Sequence, residues 1–209
     1  MKGRTSMINT IIFDIGNVLI HFRWKEHMIE YGYDEALVDR IGRATVERTL
    51  WRELDRSDSD YIDEDLINKF TAYDPEIAEE IKTFLLESHA AIREYDYAVG
   101  LVKRLKEKGY KIYLLSNYGK ANFKYALDNL KFIEHVDGGL ISYEAGYVKP
   151  ERGIYDALID KYKINPKEAV FLDDVKDNVD AASELGFNTI HFTELDKALE
   201  ELRELGVNI

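Results

Sequence analysis

The stretch Ile11-Ile12-Phe13-Asp14-Ile15-Gly16-Asn17-Val18-Leu19 decides how the rest of the chain is read. A short run of large apolar residues stops at a carboxylate, and a glycine follows close behind. Such runs, rich in β-branched residues, read as buried strands. In an open parallel sheet, ligands bind in the crevice beyond the carboxyl ends of the strands. Asp14 is therefore a candidate nucleophile or metal ligand.

The pattern recurs. Tyr113-Leu114-Leu115 ends at Ser116-Asn117, and Val170-Phe171-Leu172 ends at Asp173-Asp174. Lys149 stands in Gly146-Tyr147-Val148-Lys149-Pro150, after a further apolar run and ahead of a helical pattern. If these runs are neighbouring parallel strands, their terminal groups converge on one edge of the sheet. Such a site holds three carboxylates, an ammonium, a hydroxyl and loop N–H groups. Carboxylates this close repel one another unless a cation is present. Mg²⁺ suits them, since it takes one or two carboxylates together with substrate phosphate and water. Ser116 and loop N–H groups suit phosphate oxygens, and Lys149 supplies a mobile positive charge. Asp14 is then placed to form an aspartyl-phosphate.

Strand-like runs fall at Thr10–Phe13, Lys111–Leu115, Leu140–Ser142, Ala169–Leu172 and Asn188–His191. Between them, helical periodicity covers Ala98–Lys108, Lys120–Leu130, Glu151–Tyr162, Val175–Leu185 and Glu194–Leu205. This alternation predicts an α/β fold with a parallel sheet. Gly109 and Gly186 read as helix stops. From Phe22 to Tyr95 no strand is expected. Helical patterns run over Trp24–Tyr31, Glu35–Gly42, Ala44–Leu54, Glu64–Tyr73 and Pro75–His89. Asp63 and Asp74 are the expected caps. The organisation predicted is a core of residues 1–21 and 95–209 with a helical insertion over 22–94.

Composition excludes several classes. The net charge of -12 leaves no basic patch to neutralise a nucleic-acid backbone. With no cysteine, thiolate zinc sites, thiol nucleophiles and disulfide frameworks are excluded. No apolar stretch approaches the roughly 20 residues of a membrane span. Met1-Lys2-Gly3-Arg4-Thr5-Ser6-Met7 lacks the apolar core of a signal peptide. The acidity and the lack of cysteine fit a cytoplasmic protein.

With its four motifs in order, the chain resembles the phosphatases of the haloacid dehalogenase superfamily. Asp14-Ile15-Gly16-Asn17-Val18 is similar to the nucleophile motif, and Leu114-Leu115-Ser116-Asn117 to the phosphate-binding motif. Lys149-Pro150 is similar to the lysine motif, and Leu172-Asp173-Asp174 with Asn178 to the acidic metal motif. The resemblance implies a Rossmann-like core with a helical cap inserted after the first strand. It also implies Mg²⁺ held by Asp14, the Gly16 carbonyl, and Asp173 or Asp174. The Asp-x-Gly-Asn-Val variant most resembles the bacterial sugar-1-phosphate phosphatase type.

One position departs from that family. Gly16 stands where most of its phosphatases carry a second aspartate that protonates the leaving oxygen and later activates water. The expected substrate is therefore a small phosphomonoester whose leaving group is a weak base, a hexose 1-phosphate being the natural case. His21, at the entry to the insertion, is a candidate stand-in acid or base. Asn178 is a candidate support for Lys149 or the aspartate pair. Of the aromatics in the insertion, Phe22 and Trp24 lie closest in sequence to the nucleophile loop. Arg23, Arg43, Arg48 and Arg52 are candidate substrate clamps. Two alternatives stay open: a 2-haloacid dehalogenase, since halide needs no acid, and a non-catalytic metabolite-binding domain.

Overall fold

The computed structural model describes residues 7–209, so the reading of Met1–Ser6 lies outside the described residues. The strands are β1 (Thr10–Phe13), β2 (Ile20–Phe22), β3 (Ile92–Glu94), β4 (Lys111–Ser116), β5 (Gly138–Ile141), β6 (Ala169–Asp173) and β7 (Asn188–His191). Five of them form one sheet in the order β5-β4-β1-β6-β7, every pair parallel. β1 is central and buried throughout. Its side chains alternate between two cores. Ile11 and Phe13 pack with Ile112, Leu114, Val170 and Leu172 on one face. Ile12 packs with Leu115, Tyr155 and Phe171 on the other. A strand covered on both faces carries an unbroken apolar run, which is why the run ending at Asp14 was readable.

Helices α1 (Trp24–Glu30), α2 (Glu35–Ala44), α3 (Trp51–Arg56), α4 (Glu64–Thr71) and α5 (Ala78–Glu87) lie between β2 and β3. They bury Met28, Ile41, Leu54, Phe70, Ile81 and Phe84 in a cluster of their own. Helices α6 (Ala98–Glu107), α7 (Lys120–Asn129), α8 (Ser142–Ala145), α9 (Arg152–Tyr162), α10 (Lys176–Glu184) and α11 (Leu195–Glu204) complete the chain around the sheet. Gly109 and Gly186 stop α6 and α10 at φ +90°, a conformation that favours glycine.

Three sequence expectations are corrected. The interval from Phe22 to Tyr95 does contain a strand. β3 pairs antiparallel with β2, joining Ile20 to Glu94, His21 to Arg93 and Phe22 to Ile92. Strands of three residues are too short to display an alternation. The helix expected over Ala44–Leu54 does not form as one piece. The backbone leaves the helical region at Thr45, whose hydroxyl donates to the Ile41 carbonyl at 2.7 Å, and helix resumes only at Trp51. The β-branched Thr45, Val46 and Thr49 lower helix propensity across that gap. Asp63 does cap α4, accepting from Asp65 N at 2.8 Å. Asp74 does stand at the N-cap of the 3₁₀ turn Pro75–Ile77, with Pro75 in the first turn, but its side chain does not cap it; the carboxylate instead takes two bonds from Arg40, at 2.7 and 2.8 Å.

Candidate active site

The site lies where β1 meets its two neighbours, at their carboxyl ends. Asp14 follows β1 directly, and its N–H bonds the Leu172 carbonyl of β6 at 2.9 Å. Its Oδ1 accepts from Ile15 N at 2.7 Å, Ser116 Oγ at 2.6 Å and Lys149 Nζ at 2.8 Å. Among the described residues nothing donates to Oδ2. One oxygen is thus fixed by three donors while the other is free to react.

Lys149 is buried and bridges two carboxylates, reaching Asp173 Oδ2 at 2.6 Å as well as Asp14. Its main chain is held by Asn117, whose Oδ1 accepts from Lys149 N at 2.8 Å and whose Nδ2 donates to Lys149 O at 3.1 Å. The Asn117 amide therefore sets the lysine's backbone, and Ser116 is the polar side chain of this pair that touches Asp14. Burial opposes charge on the Lys149 ammonium, but the Asp14 and Asp173 carboxylates outweigh it and hold its pKa above the usual value.

The two acids after β6 differ. Asp173 is fully buried, with both oxygens engaged. Oδ1 accepts from Val175 N at 2.8 Å and Asn178 Nδ2 at 2.9 Å, and Oδ2 takes Lys149. Of the aspartate pair, Asn178 thus bonds Asp173 alone. Asp174 instead lines the cavity and accepts one side-chain bond, from Asn17 Nδ2 at 3.0 Å. Burial raises the Asp174 pKa, with Asp173 adding to the rise against the Asn17 bond. Burial likewise pushes Asp14 up to about 7; Lys149 pulls it down, and Asp173 and Asp174 push it further up.

Asp14, Asp173 and Asp174 each offer an oxygen within 4.8 Å of the others. Three carboxylates face a single ammonium, and the donor set is all hard oxygen. That chemistry fits a divalent cation such as Mg²⁺. The cavity measures about 240 Å³. This is just below the roughly 300–1,000 Å³ of sites for drug-sized ligands, so it suits a small molecule.

Asp14, Gly16, Ser116, Asn117, Lys149, Asp174 and Asn178 all line this cavity. His21 does not; it sits in β2 with its ring stacked on Tyr95. Phe22 and Trp51 line the cavity, while Trp24 packs inside the inserted helices against Phe84. None of the candidate arginines lines it. Arg23 pairs with Glu30, and Arg48 lies over the Tyr73 ring.

Several lining residues were not singled out in the sequence, among them Asn17, Asp55 and His89. Asn17 carried a signal, because its φ of 53° is the left-handed conformation that asparagine tolerates in turns. Asp55 carried a fainter one. It is an acid in the last turn of α3, where the helix dipole disfavours negative charge.

Comparison with known proteins agrees with this geometry. The haloacid dehalogenase-like hydrolase family matches residues 8–186, and the chain belongs to that family. A D-ribitol-5-phosphate phosphatase of Bacteroides thetaiotaomicron is 32% identical over 104 residues, 47% of this chain and 48% of that protein. An (S)-2-haloacid dehalogenase of Burkholderia cepacia is 24% identical over 167 residues, 80% of this chain and 66% of that one. The chain thus spans 48% and 66% of the lengths of these relatives. A family enzyme from B. thetaiotaomicron, solved with magnesium and inorganic phosphate, superposes with a TM-score of 0.68 at 23% identity, over 92% of this chain and 98% of that one. At that identity the likeness is one of fold.

Proposed function

We propose that this hydrolase is a Mg²⁺-dependent phosphatase acting on a small sugar phosphate through an aspartyl-phosphate on Asp14. The observation that carries the proposal is the asymmetry of Asp14. Oδ1 is pinned by Ile15, Ser116 and Lys149, and Oδ2 is left without a partner among the described residues. Asp14 lines a small cavity beside the lysine and the serine that suit a phosphoryl group.

In this reading Asp14, the Gly16 carbonyl and Asp174 would hold Mg²⁺, which would supply positive charge to neutralise the phosphoryl group. Asp173 is a positioning residue. Its oxygens are filled by Val175, Asn178 and Lys149, so it holds the lysine between the carboxylates. Lys149 and Ser116 orient the phosphoryl oxygens, and Asp14 Oδ2 attacks phosphorus in line with the leaving oxygen. Water then cleaves the acyl phosphate and frees Asp14. The inserted segment 22–94 acts as a cap over the cavity, supplying Phe22, Trp51, Asp55 and His89 to its lining. Among sugar phosphates, hexose 1-phosphates ask least of the site, because their anomeric leaving oxygen is the weakest base. A B. thetaiotaomicron relative named for ribitol 5-phosphate supports the sugar-phosphate class.

Dehalogenation is the second reading, favoured by the B. cepacia relative that matches 80% of this chain. The three clustered carboxylates weigh against it, since displacement of halide has no need of a divalent cation. A panel containing glucose 1-phosphate, glucose 6-phosphate, ribitol 5-phosphate, an aryl phosphate and 2-chloropropionate, each with Mg²⁺ and with chelator, separates the two. Phosphate release that requires Mg²⁺ supports the phosphatase. Chloride release that survives chelation, with no phosphate release, overturns it.

A further inference from the structure

With glycine at position 16, the chain near Asp14 supplies no acid for the leaving oxygen. A Cβ built at Gly16 meets nothing within 4 Å, so the place a side chain would take is open space beside the cavity. A proton donor has to come from another element, and among the described residues the one cavity-lining carboxylate without a hydrogen-bond partner on either oxygen comes from the cap.

That carboxylate is Asp55. It lines the cavity with Asp14, Ser116 and Lys149. Among the described residues its side chain has neither a hydrogen bond nor an ion pair. Its backbone, by contrast, is clamped to the core on every side. Ser142 Oγ donates to the Asp55 carbonyl at 2.6 Å. Arg56 donates to the Gly146 carbonyl at 2.9 Å and forks onto Glu151 at 2.9 and 3.0 Å. Lys120 N donates to the Ser57 carbonyl at 2.9 Å. Gly119 lies so close beneath that a Cβ there would sit 2.3 Å from the Leu54 carbonyl oxygen. The loops after β4 and β5 and the lysine loop therefore all grip the end of α3. A side chain presented without a partner on so fixed a backbone is built to meet a ligand.

We propose that Asp55 is the general acid and base of this enzyme, delivered from the cap to do the work that Gly16 cannot. The proposal rests on the phosphatase reading. In the first step Asp14 Oδ2 bonds to phosphorus, the bond from phosphorus to the leaving oxygen breaks, and that oxygen takes the Asp55 proton. In the second, water bonds to phosphorus as the Asp55 carboxylate takes its proton. The bond from phosphorus to Asp14 then breaks, inorganic phosphate leaves, and Asp55 is again protonated. Burial, opposed by Lys149 and aided by Asp14, pushes the Asp55 carboxyl up to about 7, where it can both give and take a proton. His89 is the rival donor on the cavity wall, but its Nδ1 is bonded to the Leu86 carbonyl at 2.7 Å and its ring rests against Tyr125. With a proton donor in place, primary alkyl phosphates become substrates beside the anomeric ones.

The test is Asp55→Asn, followed through both half-reactions with Mg²⁺. On glucose 6-phosphate or ribitol 5-phosphate, sugar release is expected to fall about 10²–10⁴-fold, the usual worth of a general acid. On 4-nitrophenyl phosphate, whose leaving group needs no proton, the variant is expected to give a burst of one equivalent of nitrophenol and then slow turnover. A merely structural role would not leave that burst, and the burst itself shows the variant folded. Adding Gly16→Asp to D55N is expected to restore part of the alkyl activity. Equal loss on both substrates without a burst, wild-type rates in D55N, or the burst signature in His89→Gln instead would each overturn the assignment. Wild-type protein without Mg²⁺-dependent phosphate release on any ester overturns the phosphatase reading, and this proposal with it.

Discussion

The core and the cap place carboxylates in the same cavity by opposite means. In the core, Asp14 and Asp173 are buried, with Oδ1 of Asp14 and both oxygens of Asp173 bonded to backbone, hydroxyl, amide and ammonium. Their partners come from distant parts of the chain: β4, α10 and the loop that carries Lys149. In the cap, the backbone around Asp55 is fixed by Ser142, Lys120 and the Arg56 fork, while the side chain is left free. A group that must neutralise charge in one geometry suits the first arrangement, and a group that must pass protons suits the second. Electrostatic preorganisation is thus concentrated in the sheet and proton transfer in the insertion.

The largest expected effect breaks the core side. Asp14→Asn removes the nucleophile and should abolish phosphate release while circular dichroism stays that of the wild type. Next comes Lys149→Met, which leaves Asp14 and Asp173 buried without their ammonium. Removing one partner of a buried ion pair costs about 3–5 kcal/mol, so urea unfolding in chelator should shift by about that much. Added Mg²⁺ should recover part of the loss by binding the uncompensated carboxylates. An unchanged unfolding midpoint would show that the carboxylates protonate and need no cation.

Gly16→Asp alone sharpens the comparison. The position is open, so the variant should fold as the wild type does. If the cap already supplies the acid, alkyl-phosphate turnover should rise less than about tenfold, well short of the 10²–10⁴-fold worth of a missing acid. A larger rise would mean that the cap acid does nothing.

The smallest effects are on the latch. Arg56 and Glu151 are partly solvated, with side chains 29% and 39% exposed. Arg56→Ala should change global stability by no more than about 1 kcal/mol, while KM rises because the cap is held less often closed. The Arg56 guanidinium holds the Glu151 pKa below its ordinary 4.5. The latch is therefore complete above pH 4.5 and weakens as pH falls through the lowered value. An R56A-like rise in wild-type KM is expected only on the acid side of that window.

The same contrast explains what was legible in the sequence. A strand buried on both faces writes its boundaries as an apolar run, and the polar residue ending it falls at the ligand crevice. Asp14, Ser116 and Asp173 were found that way, and β1 and β7 were read at their observed ends. Cap helices encode only which face is apolar. Nothing in Arg52-Glu53-Leu54-Asp55-Arg56 says which of its charged residues meets the sheet, because that depends on Ser142, Gly119 and Glu151, far away in the chain. Trp24 lies near the nucleophile loop in sequence, but nearness in sequence does not decide which aromatic reaches the cavity. The helix turns Trp24 inward, and Trp51 takes a place on the cavity wall. The pairing of β2 with β3 was missed because its strands are too short to carry a period.

The claim on which everything rests is that Asp14 carries the phosphoryl group. Protein quenched during turnover with Mg²⁺, reduced with borohydride and digested should contain homoserine in place of Asp14, the product of reducing an aspartyl-phosphate. The conversion should be absent with chelator and without substrate. Full turnover with no conversion at Asp14 would mean that water attacks the substrate directly, and the covalent account would be wrong.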